Sequence, residues 1–171
     1  QSGDTISIPS GATLNSAGTN TLTGIDNTPA FQVYMSSNQS VSTSTYTKVA
    51  LANEYYDTAS AYDTSTYRFT VPSGEGGKYY VYADVTFHST HGGNDLQVEE
   101  VLVKKNGSTA INSEVARDSG MGITETLYCE GILVLSAADY LEVYGYLDNV
   151  QGSTYTKFKS ASFGAFKLQG V

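Results

Sequence analysis

From position 30 onward, apolar and polar residues alternate in short runs separated by turn-forming residues, the two-residue period of half-buried strands. Phe31, Val33 and Met35 share one parity of a first strand, and the Ser/Thr/Asn-rich residues 36–45 read as a loop. Residues 46–51 predict a second short strand, and residues 53–66 read as turn-rich, with Asp57 and Asp63 each near a tyrosine. Tyr67-Arg68-Phe69-Thr70-Val71 alternates again and meets a sharp turn at Pro72-Ser73-Gly74-Glu75-Gly76-Gly77. The clearest strand is 78–87. It sets Tyr79, Val81, Ala83, Val85 and Phe87 on one face and Tyr80, Tyr82, Asp84 and Thr86 on the other. Aromatic residues on both faces imply that both are covered, one by a second sheet and the other by a partner.

Residues 96–105 form a further strand, ended by Asn106-Gly107, a strong hairpin signal. Strands over 110–117 and 123–135 flank Asp118-Ser119-Gly120. Ala138-Asp139 turns the chain into 140–147, where Leu141, Val143 and Leu147 face one way and Glu142, Tyr144 and Tyr146 the other. Residues 148–156 read as a polar loop, and the aromatic strand 163–168 closes the domain. No stretch of ten or more residues carries a helical period. About ten strands at regular spacing predict an all-β sandwich or jelly roll.

Residues 1–28 differ from the rest. Ile6, Ile8 and Leu14 alternate around a Pro9-Ser10-Gly11 turn, and Leu22 and Ile25 continue sparsely through Gly, Asn and Thr. This is too little apolar surface for a core of its own. Such a segment either orders by packing against copies of itself, as in β-prisms and triple β-helices, or is a disordered linker. Gly3-Asp4-Thr5-Ile6-Ser7-Ile8-Pro9-Ser10-Gly11-Ala12-Thr13 resembles shaft segments of phage tail fibres and related virion proteins. The chain therefore divides into an extended segment, 1–28, and a sandwich domain, 29–171.

Composition narrows the function classes. The 171 residues include 17 Gly, 14 Tyr, 6 Phe and no Trp, and Tyr, Ser and Thr predominate over helix formers. Net charge is −8 with 15% charged residues, which argues against nucleic-acid binding and against anchoring to anionic lipid, since both need clustered Lys and Arg. No apolar run approaches the length of a membrane-spanning helix, and the first residues lack the basic and apolar regions of a signal peptide.

Candidate chemistry is sparse. Cys129 is the one cysteine, and it falls in an apolar strand pattern with no histidine near it in sequence, so it reads as a small buried hydrophobe. His88 and His91 are three apart on a polar loop, with Asp95 the nearest further ligand, and read as a loop tip. Asp57, Asp63, Asp95, Glu99 and Glu100 are the carboxylates to weigh for calcium. No Asp-x-Asp-x-Asp spacing joins them, so they read as turn formers and strand-edge glutamates. There is no nucleophile elbow, phosphate loop or His-Glu-x-x-His. No catalytic residue, metal ligand or cofactor is assigned, and no enzyme is expected.

Several pieces together resemble the C1q/TNF-like family of jelly-roll heads. They are Tyr62-Asp63 with Thr66, Phe69-x-Val71-Pro72, Gly77-Lys78-Tyr79-Tyr80-Val81, and the Lys104-Lys105-Asn106-Gly107 hairpin. Ala138-Asp139-Tyr140-Leu141-Glu142-Val143 and Phe163-Gly164-Ala165-Phe166-Lys167-Leu168 complete the set. The order and spacing match over about 30–169. The pattern departs at Ala138, at the expanded turn 72–77 and at Ala165-Phe166. The resemblance implies a ten-stranded jelly roll that assembles as a homotrimer with one sheet toward the threefold axis. By that analogy Tyr80, Tyr82, Ile132 and Val134 lie toward neighbouring subunits; the alternative for the two tyrosines is a wet monomer surface. The family includes calcium-binding members, so calcium is the one ion to look for.

Loops rich in Tyr, Ser, Asn and Thr suit adaptable binding. His88, His91, Asn94 and Tyr155 are the candidates there, within or beside the loops 36–45, 88–95 and 149–157. The expected function is that of a trimeric, non-enzymatic virion structural protein, a phage tail-fibre or appendage head. Its expected partners are other virion proteins and a host-surface saccharide or protein. The alternatives are a purely architectural virion piece, such as a capsid decoration or spacer, and a secreted bacterial C1q-like module. Either way the place of action is the virion or the extracellular space.

Overall fold

The computed structural model describes residues 27–89, 96–116, 124–149 and 156–168. Twelve strands follow in chain order: β1 (Ala30–Tyr34), β2 (Gln39–Ser40), β3 (Thr47–Lys48), β4 (Asn53–Asp57), β5 (Tyr62–Asp63), β6 (Arg68–Thr70), β7 (Gly77–Ser89), β8 (Leu96–Lys105), β9 (Ser108–Ala116), β10 (Thr124–Leu135), β11 (Tyr140–Asn149) and β12 (Thr156–Lys167). They form two antiparallel sheets. In sheet A the order is β10-β7-β12-β1-β4, with β2 on β12; in sheet B it is β5-β6-β11-β8-β9, with β3 on β11. The expected all-β sandwich is present. Its strand count exceeds ten because β2, β3 and β5 are two-residue pairings.

The parity read in the sequence for β7 holds: Tyr79, Val81, Ala83, Val85 and Phe87 are buried between the sheets. Several regions differ from expectation, and β2 and β5 form within stretches read as loop and turn. Residues 53–57 were expected to turn but form β4, a sheet-edge strand whose Glu54, Tyr55 and Tyr56 are all exposed, so no alternation marks it. Strand β12 begins at Thr156, well before position 163, because a bulge between Phe158 and Ser160 breaks its period. The strand expected over 46–51 shrinks to Thr47–Lys48. The extended segment 1–28 lies outside the described residues except for its last two.

The sheets are joined by aromatic rings. Phe31 of β1 stacks on Phe69 of β6 at 4.5 Å, meets Phe163 of β12 edge-on at 4.9 Å and stacks on Tyr62 of β5 at 5.4 Å. Phe31, Phe69 and Phe163 are completely buried. Truncating such a residue to alanine typically costs about 3–5 kcal/mol. A second ring pair, Phe87 and Phe158, meets edge-on at 5.6 Å and presses on Gly145 of β11. A Cβ at position 145 would lie 2.6 Å from Phe158 Cζ and 3.2 Å from Phe87 Cε1. The sheets approach this closely only because residue 145 has no side chain.

At one end of the sandwich the turns are tied together by Asp139. Its carboxylate accepts the Ser136 amide at 2.8 Å and the Asn106 side-chain amide at 2.6 Å, and it pairs with Lys105 at 2.9 Å. Asn106 also bonds the Tyr140 backbone in both directions. Lys105 further donates to the Val134 carbonyl, which links the β8–β9 hairpin to β10. The Asn-Gly hairpin signal is realised here, with φ of 51° at Asn106 and 83° at Gly107.

Replacing Gly145 with alanine forces the Phe87–Phe158 pair to move and is expected to destabilise the domain by about 1–3 kcal/mol. Thermal unfolding followed by circular dichroism checks this, and an unchanged midpoint would show that the rings yield freely.

Candidate interaction surfaces

The second parity of β7 builds the outer face of sheet A. Tyr80 stands between Ile132 of β10 and Phe166 of β12, and Tyr82 between Glu130 and Gly164. Asp84 stands between Tyr128 and Ser162. The row through Ser162 continues to Tyr34 of β1, and the row through Gly164 to Gln32 of β1 and Tyr56 of β4. The four residues singled out in the sequence, Tyr80, Tyr82, Ile132 and Val134, therefore share one face. Ile132 and Val134 are 60% and 65% exposed, an uncommon state for β-branched residues two apart on one strand.

Gly164 creates the room for this arrangement. A side chain there would overlap the Tyr82 ring and approach the Phe31 carbonyl to 2.9 Å, so Tyr82 lies across β12. Tyr80 donates its hydroxyl to Glu130, and its ring packs at 6.0 Å from Tyr82 and 5.4 Å from Phe166. Tyr34 stacks on Tyr55 at 4.4 Å toward the β4 edge. Asp84 accepts the Ser162 hydroxyl, and Thr86 joins Thr126 and Ser160 through hydroxyl contacts of 2.9 Å each. Sequence reading missed Phe166, Tyr128, Tyr34, Tyr55 and Tyr56 as members of this face. Tyr128 shares the parity of Ile132 and Val134 and was legible; the others join only through pairing of distant strands.

The outer face of sheet B is polar and paired within itself. Glu142, nearly buried, accepts Lys48 at 2.6 Å and Arg68 at 2.8 Å. Burial works against its ionised form, but the Lys48 and Arg68 hydrogen bonds outweigh that and hold its carboxyl below the usual range. The Arg68 guanidinium lies 3.9 Å from the Tyr140 ring centre, and the Lys104 ammonium 4.1 Å from that of Tyr144. Glu100 accepts the Tyr46 hydroxyl at 2.5 Å and the Asn112 amide at 2.9 Å, and the first of these bonds pushes the Tyr46 hydroxyl up to about 12.

The carboxylates weighed for calcium are occupied elsewhere. Asp57 caps the amides of Ala59 and Tyr62. Asp63 accepts both the Ser65 hydroxyl and amide, which holds its carboxyl at about 2. Glu99 turns to the core side of β8, opposite Leu147, and is completely buried. Asp95 lies outside the described residues. Among the described residues, no three of His, Cys, Asp and Glu gather where an ion would be held. Burial pushes the Cys129 thiol up to about 12, far from a reactive thiolate.

Of the loop candidates, His88 sits at the end of β7 on the outer face of sheet A, its Nδ1 2.7 Å from Thr124 Oγ1. His91, Asn94 and Tyr155 lie outside the described residues. The strand ends that carry their loops do gather at one pole: Ser89 pairs with Thr156, His88 with Thr124, and Val98 with both Asp148 and Ala116. Ser44 of the 36–45 stretch joins them, donating its amide to Leu147 and its hydroxyl to Asp148. This pole lies opposite the Asp139 turns.

No protein-family model matches the sequence, and comparison with curated proteins finds no match. Solved structures do match, 224 chains in all. One is the globular domain of zebrafish complement 1qA protein, at 16% identity and a TM-score of 0.54, covering 83% of this chain and 99% of that one. The fold is thus that of a C1q globular domain.

Asp139 is held ionised at about 2, first by the Ser136 amide and then by Lys105 and Asn106. A carboxyl whose folded value lies below its unfolded value of about 3.9 contributes stability above that pH and loses it as pH falls through the folded value. Thermal midpoints measured between about pH 5 and about pH 2 are expected to fall steeply for the native chain. They should fall less for Asp139→Asn, which starts lower at pH 7. Parallel curves for the two proteins would contradict this role.

Proposed function

We propose that this chain is a non-enzymatic binding head that works as a homotrimer, joined through the outer face of sheet A, on a virion appendage of the tail-fibre kind. The observation that carries the reading is that face itself. Tyr80, Tyr82, Phe166, Ile132 and Val134 form an apolar and aromatic patch on one side of the domain, and Tyr128 stands on the same face beyond Glu130. Covering it removes a liability that a lone domain would carry. Its burial releases about 25 cal/mol per Å² before the entropy of association is subtracted. The C1q-like fold and the shaft-like pattern of residues 1–28 support the same reading.

In such an assembly the pole carrying the 36–45, 88–95 and 149–157 loops is the end free to meet a host-surface saccharide or protein. No nucleic acid or membrane insertion is involved. Saturable binding to host cells or a glycan array, lost on loop substitution, is the expected result. Tight incorporation into particles without such binding would instead mark a purely architectural piece.

The oligomer is checked by sedimentation velocity at micromolar concentration, where a trimer is expected. Ile132→Asp places a charge opposite Tyr80 and is expected to weaken association at least about tenfold, or 1.4 kcal/mol, while leaving the sandwich folded. A native chain that sediments as a monomer would remove the trimer from the reading.

A further inference from the structure

Asp84 is the only acidic residue of β7 and stands near the middle of the outer face of sheet A. Its cross-strand neighbours are Tyr128 and Ser162, and Tyr82 and Thr86 flank it along the strand. It is half-buried already and accepts the Ser162 hydroxyl. The titratable and charged side chains of this face are Lys78, Tyr80, Tyr82 and His88 on β7, Tyr128 and Glu130 on β10, Lys157 with Lys159 at the bulge of β12, Tyr34 on β1, and Glu54, Tyr55 and Tyr56 on β4. Glu130 is engaged by the Tyr80 hydroxyl. No lysine or arginine of the described residues forms an ion pair with Asp84.

We propose that Asp84 makes assembly through this face proton-linked, docking favouring its neutral carboxylic acid over its carboxylate. The inference rests on the trimer reading above and adds its regulation. A carboxylate covered by a second copy loses water with no cation of its own chain paired to it, whereas a carboxylic acid covered there keeps Ser162 as a partner and gains an O–H to donate. Burial already holds the Asp84 carboxyl above the usual carboxylate range in the single chain, even against the Ser162 hydrogen bonds that lower it. Further burial raises it more. The sign follows: a raised value in the assembled state strengthens association below the free-chain value, and that gain is lost as pH rises through the assembled value. Acid tightens the trimer and alkali loosens it, the reverse of what protonating His88 on the same face would do.

The test is sedimentation equilibrium of the full chain from about pH 5 to about pH 8 with a chelator present, for the native protein, Asp84→Asn and His88→Gln. Circular dichroism confirms that each is folded. For the native chain the association constant is expected to fall across the range, by up to about a thousandfold per pH unit where all three carboxyls release a proton. Asp84→Asn keeps the shape and the Ser162 partner. It is expected to hold the trimer at pH 8 as firmly as the native chain holds it at pH 5, with little pH dependence. His88→Gln is expected to keep the native dependence. A trimer insensitive to pH, or a dependence that survives in Asp84→Asn or disappears in His88→Gln, overturns the proton link and leaves the trimer standing. A monomer at every pH overturns both.

Discussion

The stack of Phe31 on Phe69, with Phe163 set edge-on against it, is the contact on which the rest of the domain depends. It draws rings from β1 and β12 of one sheet and β6 of the other into a single buried cluster. Once those rings face inward, the two-residue period leaves no freedom elsewhere. Tyr79 through Phe87 must point in, and Tyr80 through His88 must point out. The exposed aromatic face of sheet A is therefore a consequence of core register rather than an independent feature. A slip of one residue would exchange the two.

The two outer faces answer exposure differently. Sheet B places Glu142 and Glu100 beneath Lys48, Arg68, Tyr46 and Asn112, so each carboxylate is matched within the domain. Sheet A has hydroxyls and rings, with Tyr82 folded over Gly164 and Tyr34 against Tyr55. Tyr80 bonds Glu130, Asp84 bonds Ser162 and Thr86 bonds Thr126 and Ser160, yet Ile132, Val134 and Tyr128 still stand in water. One face pairs its carboxylates within the domain, and the other leaves large apolar side chains exposed.

Much of this was readable along the chain. The parity of β7, the Asn106-Gly107 hairpin, the Asp139 turn and the glycine of the closing strand all carry local signals, and local signals survive in a single sequence. Strand β4 carries none, because an edge strand with exposed Glu54, Tyr55 and Tyr56 has no buried parity to show. The first half of β12 was hidden by its bulge. The network around Glu142 draws on positions 48, 68 and 142, and the face of sheet A unites positions 34, 56, 82 and 164. Such neighbourhoods are created by strand order, which no local pattern encodes.

The two poles are built from different materials. At one, Asp139 ties Ser136, Lys105 and Asn106 into a knot of short, charge-assisted bonds. At the other, three pairs of strand ends release the chain into its longer connections. The bonds that fix the turns are thus concentrated at the Asp139 pole, away from those connections. On the proposed reading, substitutions in the connections change what the head binds while the register, the core and the knot stay as they are.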